Sequence, residues 1–138
     1  MIFAGDRDRV ELYLRQLADL MGLRDWVVRL EDGVPDDDDA FACVQTYTRI
    51  REALIFVRDG WEHASPETFR LYMVHELIHT HLEAMEVPLS GLELMVGKLA
   101  YDVAYGAYRE AEEVAVHAIA RAWAPLLPLP EETTEEAA

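Results

Sequence analysis

Apolar residues recur at helical spacing near the start of the chain: Val10, Leu14, Leu17 and Met21 fall on one face. The spacing predicts a helix over 7–21, with Asp8 and Glu11 fitting a capping box and Gly22 a stop. The period then changes. Residues 26–30, 40–47 and 52–57 are short runs that read as strands, the last rich in β-branched and aromatic residues. Turn-forming stretches separate them, one of which holds Gly33, Pro35 and four consecutive aspartates, Asp36 to Asp39. Three such runs predict a small three-stranded antiparallel sheet, arranged as a meander.

Ser65-Pro66-Glu67 opens the next element as a strong helix start: an N-cap serine, proline at the first helical position, then an acid near the positive end. The helix is expected to run to about Glu86 and to stop before Pro88. From Ser90 the pattern is helical again until Pro125, with Gly97 and Gly106 marking a kink, a break into two helices or a close helix contact. The fold class read from this order is α+β: an N-terminal helix, a small three-stranded antiparallel sheet, a second helix and a long C-terminal helix. Residues 1–127 read as a single domain. Residues 128–138, rich in proline and glutamate, read as a disordered acidic tail.

Composition narrows the function classes. Half the residues are apolar, as in globular domains, and the formal net charge is −15. Lys98 and eleven scattered arginines form no basic patch, so a nucleic-acid partner is not expected. No apolar run approaches the ~20 residues that span a bilayer, so no membrane partner is expected either. One cysteine, Cys43, excludes an intrachain disulfide and a multi-cysteine metal site. The first nine residues turn charged at once and lack a signal-peptide pattern, which predicts a cytoplasmic protein.

The chemistry lies at His75-Glu76-Leu77-Ile78-His79. Two histidines four residues apart on a helix share a face, about 6 Å apart along the axis. Neutral imidazoles so placed can share one Zn²⁺. Glu76 beside them can reach a water whose pKa the metal lowers, and take its proton as general base. The histidine, glutamate and spacing together are the known HExxH motif. Its apolar neighbours, Leu71, Val74, Leu77, Ile78 and Leu82, supply a helix that packs against a core.

A catalytic zinc usually takes three protein ligands and leaves a position for water. Glu110, Glu112 and Glu113 form the only later acidic cluster within an expected element. Glu113 shares a face with Val116, Ile119 and Ala120, where a bare carboxylate is costly without a cation, and ranks first. Glu110 ranks second. Glu112 is rotated away and is expected to be solvated. Glu83, four residues past His79, is a local competitor better suited to support than to ligation. Tyr101, Tyr105 and Tyr108 form a stripe that could donate to an oxyanion, although ordinary packing is the simpler reading. His81 is expected to face away from the metal, and His63 to lie in a loop.

On these residues the chain resembles a minimal zincin-type metallopeptidase, of the compact kind found among bacterial and phage proteins. The resemblance covers roughly 24–122 and follows the gluzincin arrangement, with HExxH on one helix and a glutamate, Glu113, on the next. It implies peptide-bond hydrolysis, Zn²⁺ held by His75, His79 and Glu113, and Glu76 as the base. It also implies that extended peptide or protein substrate pairs with an edge strand, for which 52–57 is the candidate. One departure is His117, standing where thermolysin-like enzymes carry an aspartate. The alternative function is a catalytically silent zinc-binding protein of the same fold that acts as a binding or regulatory module.

Overall fold

The computed structural model describes residues 1–131. The chain folds as α1 (Arg7–Leu20), β1 (Val27–Leu30), β2 (Ala42–Tyr47), β3 (Glu52–Val57), α2 (Pro66–Ser90), α3 (Glu93–Val96) and α4 (Lys98–Trp123), with short 3-10 turns at Phe3–Gly5, Trp61–His63 and Ala124–Leu126. This is the expected α+β layout. The cap of α1 is Asp6 rather than Asp8: its carboxylate accepts from the backbone N–H of Asp8 (3.0 Å) and Arg9 (3.4 Å). Gly22 follows with φ +82°, a conformation that suits glycine.

The sheet corrects the antiparallel meander. Strand order is β1-β3-β2; β2 and β3 pair antiparallel, whereas β1 pairs with β3 in parallel, Val28 opposite Ala53. The β2–β3 hairpin closes through a tight turn, and β1 joins its far side because the chain crosses from one edge of the sheet to the other before β2 begins. The parallel pair is possible because β2 itself forms part of that crossover. Hence 52–57 is not an edge. It is the central strand, paired on both sides, with Ala53, Ile55 and Val57 buried. The free edge beside α2 belongs to β2.

Ser65 caps α2 as expected, its hydroxyl accepting from the Thr68 N–H (3.1 Å). The helix nevertheless runs through Pro88 to Ser90. Pro88 lies in the last turn and is exposed, so the lost backbone bond falls where the helix is already ending. Gly97, at φ +84°, separates α3 from α4, whereas Gly106 sits within a continuous α4.

Phe69 centres an aromatic cluster with Tyr13, Phe41 and Trp61 at ring-centroid distances of 5.7–6.2 Å. Around it α2 buries Met73, Val74, Leu77 and Ile78 between the sheet, α1 and α4. Each such side chain contributes roughly 1.5–3 kcal/mol on leaving water. Part of the expected tail belongs to the fold. Tyr13 donates to the Pro128 carbonyl (2.8 Å), Phe3 N–H donates to the Glu131 carbonyl (2.9 Å), and Arg9 pairs with the Glu131 carboxylate. The rest, 132–138, lies outside the described residues. Among the described residues, no helix is long and apolar enough to cross a membrane.

Candidate metal centre

The core packing of α2 decides where its histidines point. With Met73, Val74, Leu77, Ile78 and Thr80 buried, His75 and His79 emerge on the flank shared by β2 and α4. Both side chains are only 11–13% exposed. Their Nε2 atoms stand 3.2 Å apart, and the Glu113 carboxylate closes the triangle, 2.7 Å from His79 Nε2 and 3.3 Å from His75 Nε2. One ligand atom from each of the three lies within 4.8 Å of the others.

Glu112, expected to be solvated, is 6% exposed and accepts a hydrogen bond from His79 Nδ1 (2.9 Å). The reason is the phase of α4. Its buried stripe is Glu112, Val116 and Ala120, an i, i+4, i+8 ladder, and not the stripe through Glu113 and Ile119. Glu113 is half exposed, and its side chain enters the centre from the rim. Two consecutive glutamates thus embrace one imidazole, Glu112 at Nδ1 and Glu113 at Nε2. A search for the i+4 ladder in the sequence would have placed Glu112 inside.

This arrangement selects the tautomer of a neutral His79 ring. With Glu112 accepting, its proton sits on Nδ1 and its Nε2 offers a lone pair. That lone pair faces a carboxylate oxygen and a second imidazole nitrogen. Converging acceptors repel one another unless a cation or a shared proton lies between them. Burial, with His79 alongside, holds the pKa of His75 below its ordinary value, which favours a neutral, ligand-competent ring.

Glu76 is 6% exposed and lines the same cleft, which has a volume of about 440 Å³. Burial, reinforced by the Glu113 charge, pushes its carboxyl up to about 8, against a backbone hydrogen bond from Val44 and the Arg109 charge. β2 forms one wall through Ala42, Cys43 and Val44, and Tyr72 and Arg109 add to the lining. Arg109 pairs with Glu86 (2.6 Å).

No family model, curated protein or solved structure matches the chain.

The remaining candidates sort by position. Glu83 lines the cleft and bonds to Thr46, outside the triad. Glu110 is exposed and stands outside the triad as well. His81 faces away, its Nε2 donating to the Met21 carbonyl (2.6 Å). His63 lies in the 3-10 turn before α2, beside Glu62. Tyr101, Tyr105 and Tyr108 stack in sequence along α4; Tyr108 reaches Glu112, and none of the three lines the cleft. Asp37 and Asp39 reach the cleft from the acidic loop. The His117 ring stands 6.0 Å from the His75 ring, one helical turn beyond Glu113.

Proposed function

We propose that the chain is a zinc-dependent metallopeptidase in which His75, His79 and Glu113 hold the metal and Glu76 is the general base. The observation that carries this reading is the convergence of three acceptor groups, one of them oriented from behind by a buried carboxylate. Two neutral imidazoles and a carboxylate are a donor set that suits Zn²⁺. When bound, Zn²⁺ supplies Lewis acidity, polarising a carbonyl and easing deprotonation of water.

The protein's own groups perform the rest. Glu76 takes the proton of the attacking water and passes it to the leaving amine. The Val44 N–H fixes the orientation of that carboxylate and ties it to β2. Extended substrate pairs with the free edge of β2, rather than with 52–57, and so lays a peptide carbonyl along the cleft. The proposal carries a cytoplasmic setting with it, since a chain with a single cysteine suits a reducing compartment.

The test combines metal analysis with turnover. The purified chain should hold one zinc, and His79→Ala should lose it. Glu76→Gln should keep the zinc but cleave a peptide mixture about 10²–10⁴-fold more slowly. A Glu76→Gln variant as fast as the wild type would remove the assigned base.

A further inference from the structure

We propose that the Glu86–Arg109 ion pair positions His79 and Glu113, by keeping a cation behind the first and off the second. The inference rests on the metal centre proposed above and adds two residues to it, neither of them a ligand. Contacts between α2 and α4 fall in an antiparallel register. His79 lies opposite Glu112 and Glu113, and Glu86, two turns further along α2, lies opposite Arg109, one turn back along α4.

Spacing along α4 offers Arg109 a nearer partner. Glu113 stands four residues on in the same helix, where side chains of opposite charge ordinarily meet. The guanidinium turns across the hairpin instead and bonds Glu86 through Nη1 (2.6 Å), a carboxylate whose side chain is only 13% exposed. Glu113 is thereby left to face His75 and His79.

Behind His79, three carboxyl groups stand in a row. Glu86 touches Glu83 on one side and Glu112 on the other, and Glu112 accepts from His79 Nδ1. Like charges so placed repel, and a partly buried row stays together only with a cation among its members. Arg109 is that cation. It bonds the middle member, and its charge reaches the outer two. Among the described residues that line the cleft, it is the one arginine or lysine.

The two partners fail in different ways when removed. Without Arg109 the row spreads, and Glu112, its end member, leaves the imidazole. Without Glu86 the guanidinium is free to turn back to Glu113, one turn away, and competes there with the metal. Without both, neither an uncompensated row nor a stray cation is left. The single changes therefore offset each other, which a pair that only clamps two helices together would not show.

Two measurements on the full chain test this: zinc affinity by chelator competition, and ¹⁵N spectra of the His79 ring in metal-free protein at about pH 8, where an ordinary imidazole is neutral. Arg109→Gln and Glu86→Gln should each weaken zinc binding about 10-fold. The double variant should bind more tightly than either single one. Metal-free wild type should show His79 with its proton on Nδ1, and Arg109→Gln a mixture of both tautomers. Single variants that bind zinc as tightly as the wild type overturn the proposal and leave the proposed ligands standing, as does a double variant no tighter than the singles. A wild type that holds no zinc removes the metal reading instead. The His79 spectra then decide the pair alone, and an unchanged tautomer in Arg109→Gln overturns it.

Discussion

Glu112 and Glu113 differ by one position and do different work on the same ring. Glu113 reaches the side of His79 that faces His75, and Glu112 holds the opposite nitrogen. Removing the support should leave the ligand atoms in place but free the imidazole to rotate and to exchange tautomers. Glu112→Ala is therefore expected to weaken zinc binding about 10–100-fold, measured by competition with a chromogenic chelator. Glu76 permits a prediction of opposite sign. Its pKa of about 8 in the fold stands well above the ordinary carboxyl range. Below about pH 4.5 it is protonated whether the chain is folded or not, and it adds no pH dependence. Between that point and about pH 8 the unfolded chain ionises while the folded one resists, so stability falls as pH rises through this window. Metal-free Glu76→Gln should thus be more stable than metal-free wild type by several kcal/mol at pH 8 and nearly equal to it at pH 4.5, as read from urea unfolding with chelator present. His75, Glu76 and His79 were legible in the sequence because their relation is local, contained in one turn of one helix. The place of Glu112 depends on how α4 lies across α2, and a one-residue error in the buried stripe moves a side chain about 100° around the helix.

At the scale of elements, α2 carries most of the site, and its start is held by one side chain. Ser65→Ala removes the hydroxyl that accepts from Thr68 N–H and should lower stability by about 1 kcal/mol in thermal or urea unfolding. His75 lies almost three turns further on, so zinc affinity should not change. Helix starts and stops were largely readable because capping chemistry is local; the second aspartate of Asp6-Arg7-Asp8 misled only by offering an equally good cap two residues late. Strand order was not readable. Residues 52–57 are the most apolar of the three runs because they form the middle strand, flanked on both sides. Residues 27–30 and 42–47, both with more exposed positions, are the two left at the edges. Apolar content reports burial, and burial is greatest where neighbours are most numerous, so the richest β segment was the poorest candidate for a free edge.

For the whole molecule, charge and the proposed metal would act in opposite directions. A formal charge of −15 on 138 residues opposes compaction through self-repulsion. Raising ionic strength from about 10 mM to about 150 mM shortens the screening length from ~30 to ~8 Å, and should raise the melting temperature of the metal-free protein by a few degrees in calorimetry. On the proposed reading zinc binds the folded chain in preference to the unfolded one, so adding zinc should raise it further, with chelator reversing the gain. The acidic balance was plain from composition. The exposure of Leu94 and Leu99 at the tip of the α2–α4 hairpin was not, because such leucines fit an amphipathic helix as well as they fit an uncovered one.

Successive turns of α4 present Glu113 and then His117 toward the same neighbour on α2. The register of the hairpin therefore decides which of the two closes the triangle. Were α4 drawn back by four residues relative to α2, an imidazole would stand where the carboxylate now does, and Val116 would replace the anchor behind His79. The cleft would exchange an anionic donor trio for a neutral one and lose its proton acceptor in the same movement. The connection at the far end of the hairpin, between Ser90 and Lys98, thus fixes from a distance which residue of α4 stands opposite His75.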